Sequence, residues 1–302
     1  DISSIVAAGC LAHDLGNPPF GHSGETAISS FFSEGRGKHL TERVEKEGGR
    51  WDDLTNFEGN ANSIRLLIHQ FNGRRRGRFA MTYSMLASIA KYPYSSTGAN
   101  GKGKFGFFQS EENDFRKIAN ELGMLCLSES PARYARHPLV YLVEAADDIC
   151  YKIMDIEDAH KLGLLSTEQT KSLFLNFFPE GRQQKMHRTM ERVSDINEQI
   201  AYLRSSVIGL LVDECSQVFI DNEEAILQGR LEGALIKHIS ELPNKANKEA
   251  TVISVSKIYK TKDVVDIELA GHRIIGFLLE TFINAVTEPA TKYSELLLSR
   301  IP

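Results

Sequence analysis

Leu11-Ala12-His13-Asp14-Leu15-Gly16-Asn17-Pro18-Pro19-Phe20-Gly21-His22-Ser23-Gly24-Glu25 is the stretch on which the reading of this chain turns. In front of it Ile2, Ile5, Val6, Gly9 and Cys10 recur at three and four residues, and Gly16-Asn17-Pro18-Pro19 then breaks the pattern. A first helix is therefore expected to end close to His13 and Asp14. A second is expected to begin near Ser23 or Gly24, with Ala27, Ile28, Phe31 and Phe32 on one face. An adjacent His-Asp pair at a helix end can offer a ring nitrogen and a carboxylate oxygen to one divalent cation, a mixed donor set that suits Mn²⁺, Fe²⁺ or Mg²⁺. Ala7, Ala8, Leu11 and Ala12 place the pair at the end of a buried helix, where an unpaired charge is costly and a metal would offset it. The dipeptide alone is weak evidence, because most His-Asp pairs are surface features.

His22 and Glu25 at the opening of the second helix admit two readings. They can be a proton-transfer pair, the carboxylate orienting the ring, with Ser23 and Gly24 offering backbone N–H groups to a phosphate. Equally, Ser23 can cap the helix and Glu25 merely favour its dipole.

A second island runs from Tyr141 to Asp158. Asp147, Tyr151 and Asp155 follow one another at i, i+4 and i+8 and so share one helical face. Leu142, Val143, Ala145, Ala146, Ile149 and Ile153 make this helix largely buried, where acidic residues are unusual. Asp148, Glu157 and Asp158 are assigned to an acidic, solvated face.

Further helical patterns cover 60–71, 81–91, 110–122, 138–160, 167–177, 195–219 and 264–286. Residues 35–57 read as an exposed connection or mobile insert, and 93–108 as a loop. Only Thr251 to Tyr259 has the β-branched pattern of a strand. The expected fold is all-α: a multi-helix catalytic core over 1–165 and a helical C-terminal region over 166–302, packed on the core as one unit.

With 302 residues, 42% hydrophobic and 25% charged, the chain can bury a substantial core without staples. A net charge of -5 excludes whole-surface attraction to polyanions, so any phosphate must meet a local basic patch. Cys10, Cys126, Cys150 and Cys215 form no C-x-x-C pair, which favours a reducing, cytoplasmic setting. No apolar run approaches the ~20 residues of a membrane span, and no membrane partner is expected.

The run His13 to Glu25, then Asn56-Phe57-Glu58-Gly59-Asn60-Ala61, Lys91-Tyr92-Pro93 and Ala145-Ala146-Asp147-Asp148-Ile149-Cys150-Tyr151, taken in this order, resemble the bacterial deoxyguanosine triphosphate triphosphohydrolases of the HD-domain phosphohydrolase superfamily. The likeness extends to Gly163 and more loosely to the C-terminus. It implies an HD-domain multi-helix fold and a divalent metal ion, Mg²⁺ or Mn²⁺, held by a His, a His-Asp pair and a distal Asp. It also implies cleavage of a deoxynucleoside triphosphate, dGTP foremost, to deoxynucleoside and inorganic triphosphate. On this resemblance His13 and Asp14 are the adjacent metal ligands and Asp147 the distal one. His22 and Glu25 are the catalytic pair, and Tyr151 and Asp155 approach the deoxyribose. Lys91 is the cation best placed for triphosphate, Lys104 and Arg65 being weaker candidates, with Lys104 more readily a solvated surface residue. Asn17, where many relatives carry histidine, retains hydrogen bonding to a phosphate oxygen. A homo-oligomer is implied as well.

The family's first metal-ligand histidine lies tens of residues before the pair, whereas twelve residues precede His13 here; the expectation is that this ligand belongs to an upstream segment. An HD phosphohydrolase acting on another nucleotide and a non-catalytic nucleotide-binding regulator stand as alternatives. Gly101-Lys102-Gly103-Lys104-Phe105-Gly106 matches G-x-G-x-x-G without a preceding strand, and reads as a flexible loop. Arg74-Arg75-Arg76-Gly77-Arg78 is a basic cluster for triphosphate, a regulatory nucleotide or single-stranded DNA, weighed against an ordinary exposed loop. The remaining histidines show no metal-ligand spacing.

Overall fold

The computed structural model describes residues 1–70, 79–99, 101, 103–259, 261–288 and 291–301. Helix follows helix: α1 (Ile2–Ala12), α2 (Gly21–Ser33), α3 (Thr41–Lys46), α4 (Asp52–Thr55), α5 (Gly59–Ile68), α6 (Tyr83–Ile89) and α7 (Glu112–Glu121). After an antiparallel pair, β1 (Cys126–Glu129) and β2 (Ala132–Tyr134), come α8 (Pro138–Lys161), α9 (Thr167–Leu175), α10 (Glu180–Met190) and α11 (Ile196–Asp221). The chain continues through α12 (Glu223–Leu227), α13 (Glu241–Lys257), α14 (Lys262–Thr287) and α15 (Lys292–Leu298). The strand pair is the one sheet among the described residues, so the fold is all-α, as the sequence predicts. The chain divides into two compact units, Asp1–Val140 with Asp266–Pro302, and Tyr141–Val265.

In the first unit α1 ends at Ala12, as the break at Gly16 to Pro19 requires, but it is not a buried helix. Gly9 and Ala12 are its buried residues, Leu11 is 85% exposed and Asp14 lies in solvent. The cost of burying an unpaired charge therefore gives no reason for a metal at this turn. Residues 35–57 are not a mobile insert either. A 3₁₀ turn at Arg36–Leu40 brings Leu40 onto Phe31 and Phe32, and Trp51 meets Phe32 edge to face at 5.8 Å. Three buried side chains, Phe31, Phe32 and Leu40, with Trp51 partly buried against them, hold the segment down, each of the three contributing about 1.5–3 kcal/mol. The expected flexible loop is likewise anchored, because Phe105 and Phe107 are wholly buried. Gly106 lies where an added Cβ would stand 2.1 Å from the Tyr92 carbonyl oxygen.

α14 is long and apolar enough, by length and composition, to cross a membrane, which departs from the sequence expectation. Its Leu279 and Ile283 pack beside Phe31, Phe32 and Leu40, and Gly271 admits the Phe20 ring where a Cβ would stand 2.5 Å away.

The second unit is built on α8. Ala145, Ile149, Ile153 and Ile156 face a core shared with α9, α11 and α13. The predicted strand at Thr251–Tyr259 is instead the end of α13. Ala246, Ala250 and Ser254 form a buried stripe at i, i+4 and i+8, and burying that stripe outweighs the β-propensity of Thr251, Val252, Ile253 and Val255. α10 escapes sequence reading because only Met186 and Met190 of its eleven residues are buried.

Glu157 is not on a solvated face. It is 5% exposed and receives Arg204 Nη1 and, at 3.3 Å, Lys161 Nζ. Burial pushes its carboxyl up, but the two cations outweigh burial and hold it below the ordinary 4.5. The sign is that of a depressed acid. Its stabilisation is fully present above pH 4.5 and is lost as the pH falls through the lower folded value. Glu157→Gln is expected to cost about 2 kcal/mol at neutral pH. Urea unfolding of variant and parent should converge as the buffer is taken well below pH 4.5.

Candidate active site

The His13–Asn17 turn is fixed by α5. Ser63 Oγ donates to the His13 carbonyl at 2.8 Å and accepts from the Gly16 N–H at 2.9 Å, while Asn62 Nδ2 donates to the Gly16 carbonyl at 2.9 Å. This approach needs a glycine: a Cβ on Gly16 would lie 2.1 Å from the Ser63 nitrogen and 2.3 Å from the Gly59 oxygen. His13 Nδ1 is 2.8 Å from the Cys10 carbonyl oxygen. A carbonyl only accepts, so Nδ1 is the ring nitrogen that carries the hydrogen toward Cys10, the backbone contact that orients an imidazole ligating a metal through its other nitrogen. With the Asp14 carboxylate in solvent beside it, the turn presents one nitrogen and one oxygen donor that fit a borderline or hard divalent cation. Among the described residues no group of three His, Cys, Asp or Glu side chains stands together as a metal cage. Asn17 is exposed on the same turn, its N–H donating to the Asp14 carbonyl at 3.1 Å.

α2 starts at Gly21, two residues earlier than predicted, after Phe20 and Gly21 turn the chain with φ of 69° and 57°. Ser23 is therefore inside the helix and caps nothing, and the Gly24 N–H donates to the Phe20 carbonyl at 3.4 Å rather than standing open to a phosphate. His22 is exposed. Glu25, one turn on, is 8% exposed and turned inward. Its Oε1 accepts from the Gly59 N–H at 2.7 Å and its Oε2 lies 3.3 Å from Lys104 Nζ. Among the described residues no hydrogen bond joins Glu25 to His22. Glu25 does serve a helix dipole, but that of α5 rather than of its own helix.

Lys104 is not a solvated lysine. Its ammonium also meets Glu58 at 2.7 Å, and Glu58, 1% exposed, caps α5 by accepting from the Asn60 backbone at 3.4 Å and from the Asn60 side chain. Burial pulls the Lys104 ammonium down; Glu58 and Glu25 more than offset it and hold its pKa above 10.5. Arg65 is likewise committed, to Glu111 at 2.7 Å and Ser110 at 2.9 Å, two residues that line a cavity of about 510 Å³ whose lining includes none of the predicted site residues. Lys91, partly exposed, lies 5.9 Å from the Tyr92 ring centre. The basic cluster Arg74 to Arg78 lies outside the described residues.

In the second unit Asp147 is partly buried on α8. Tyr151 is 56% exposed, and Asp155 follows one turn on. The residue that sequence reading missed is Tyr259, just past α13. Its ring stacks on Tyr151 at 6.2 Å and 22°, and its hydroxyl donates to Asp155 Oδ2. Burial, then the bonds to Asp155 and Tyr151, hold the Tyr259 phenol far above its ordinary 10, and burial raises the Asp155 carboxyl above 3.8. The only signal for Tyr259 in the sequence is an aromatic at the end of an apolar, β-branched run whose pattern is that of a strand.

No family model matches the chain. A deoxyguanosinetriphosphate triphosphohydrolase-like protein of Pseudomonas aeruginosa is 36% identical over 300 residues, covering 95% of this chain and 65% of that protein. A protein of the same name from Synechocystis is 34% identical over 311 residues, 95% of this chain and 66% of its own length. A deoxyguanosinetriphosphate triphosphohydrolase of Yersinia enterocolitica is 30% identical over 335 residues, 97% and 64% respectively. The chain thus spans just under two thirds of the length of the curated relatives it matches.

Gly16→Ala is expected to push α5 off the turn at a cost of about 2–4 kcal/mol, near the upper end for overpacking because the obstructing atoms are backbone. Ser63→Ala, which leaves space but removes two hydrogen bonds, should cost about 1–2 kcal/mol. Denaturant unfolding of the two variants checks the order.

Proposed function

Since the chain belongs by sequence to the family of deoxyguanosinetriphosphate triphosphohydrolase-like proteins, we propose that it is an HD-type, metal-dependent phosphohydrolase. Its substrate is a deoxynucleoside triphosphate, dGTP first, and its products are the deoxynucleoside and inorganic triphosphate. The observation that carries this reading is the clamped His13–Asp14 turn, in which the imidazole is oriented through Nδ1 by the Cys10 carbonyl and the backbone is held by Ser63. His13 and Asp14 are the residues of this turn that would hold Mg²⁺ or Mn²⁺, with Asp147 as a further ligand on the strength of the sequence resemblance. When bound, such a cation supplies Lewis acidity at a phosphate oxygen and a water of lowered pKa.

His22, exposed at the start of α2, is the group that hands a proton to the departing nucleoside 5′-oxygen. Glu25, three residues on, supports the charged imidazole electrostatically from its fixed place against the N-terminus of α5. Lys91 and Asn17 meet the phosphates, whose charge calls for a cation and for neutral donors around it. Tyr151 and Asp155 take the sugar, and Tyr259 holds both in place. A reducing, cytoplasmic setting fits four cysteines of which none forms a disulfide among the described residues. Exposed apolar residues along α14, Phe277 at 65% and Leu269 at 62% among them, suit a homo-oligomer.

The deciding experiment incubates the full-length protein with dGTP and Mn²⁺ and follows the products by ³¹P NMR. Intact triphosphate is expected. Orthophosphate would move the chain to another phosphohydrolase activity, and binding without turnover would make it a regulator. His22→Ala should lower kcat by about 10²–10⁴, and near-normal turnover rejects the assignment. GTP should have a kcat/KM at least about tenfold below that of dGTP, because a 2′-hydroxyl overpacks the sugar pocket. Tyr259→Phe, which removes the hydroxyl bonded to Asp155, should narrow that ratio.

A further inference from the structure

We infer that Glu58 and Lys104 are positioning residues, a charge pair of a buried carboxylate and a partly buried ammonium that fixes the carboxylate of Glu25; the inference rests on the catalytic part given to Glu25 above. The contacts close on themselves. Glu58 receives Lys104 at 2.7 Å, Lys104 reaches Glu25 at 3.3 Å, Glu25 receives the Gly59 N–H at 2.7 Å, and Gly59 follows Glu58 in the chain. Both oxygens of Glu25 are thereby placed, one by a side chain and one by the backbone.

Two carboxylates and one ammonium leave one surplus negative charge in a largely buried cluster. It sits at the N-terminus of α5, where the helix dipole and unsatisfied N–H groups favour an anion. Lys104 is held from both sides in the chain. Phe105 is wholly buried, and Gly103 adopts φ of 66°, in the left-handed region. Moving the ammonium out to a phosphate would strand Glu58, 1% exposed, without its cation. The geometry therefore points inward: Lys104 acts on Glu25, and Glu58 keeps Lys104 there.

The test uses the full-length protein with Lys104→Met, Lys104→Arg, Glu58→Gln and the double variant Glu58→Gln/Lys104→Met. Lys104→Met should lower kcat for dGTP at least about tenfold with KM held within about twofold, and Lys104→Arg should recover most of the loss. Gly59 opens α5 and has no earlier carbonyl within its helix, so its N–H reads Glu25 alone. Its exchange with deuterium should quicken about tenfold in Lys104→Met and in Glu58→Gln, while the Leu67 amide, deeper in α5, stays protected. Should Lys104→Met not fold with two carboxylates left uncompensated, the double variant removes one of them and carries the same two readouts.

A KM raised about tenfold at unchanged kcat would make Lys104 a phosphate ligand and overturn the inference. Unchanged Gly59 exchange in the folded variants would overturn it as well. If the protein hydrolyses no deoxynucleotide, the exchange of Gly59 still decides the positioning claim by itself, so the two readings fail separately.

Discussion

The approach of the first turn of α5 to the His13–Asn17 turn is the constraint from which the first unit takes its order. One hydroxyl, Ser63 Oγ, closes both sides of it, accepting from the Gly16 N–H and donating to the His13 carbonyl. Such contact is possible only because Gly16 has no Cβ, and it brings the open amides of the helix start within reach of Glu25. The His13–Asp14 pair on one side and the carboxylate node on the other are thus two faces of a single backbone junction. What holds one in place holds the other.

Seen from that junction, the motif Asn56 to Ala61 acquires a reason. Glu58 supplies the cap and the lysine anchor, Gly59 supplies an N–H at a spot where a Cβ would stand 2.8 Å from Glu25, and Asn60 satisfies the second carboxylate. The polarity of the site follows from helix geometry. Negative side chains collect where backbone N–H groups point outward, and the one lysine is spent among them. His22, by contrast, stays on the outside of α2, free of that node.

Much of this could be read from residue order. The break after His13, the face shared by Asp147, Tyr151 and Asp155, and the all-α character follow from spacing, because helical periodicity is a local property. What escaped was decided by partners distant in the chain. Lys104 and Arg65 look like solvated cations until the carboxylates that neutralise them are known. Glu157 looks solvated until Arg204 arrives from α11. Tyr259 was hidden by β-branched neighbours whose helix is selected by the small residues Ala246, Ala250 and Ser254. The assumption of a buried α1 failed for the complementary reason: apolar composition does not say which face is covered, and Leu11 is left out.

The edge-to-face contact between Trp51 and Phe32 has a consequence of a different kind. Trp51 is the one tryptophan in 302 residues, and it is seated in the first unit on the helix that carries His22 and Glu25. Indole emission therefore reports on that unit and is silent about residues 141–265, while far-ultraviolet ellipticity sums over the helices of both. Comparing the two signals along one denaturation curve asks whether the His13–Asn17 turn and the tyrosine pair melt as one cooperative body or in separate steps, with no label added to the chain.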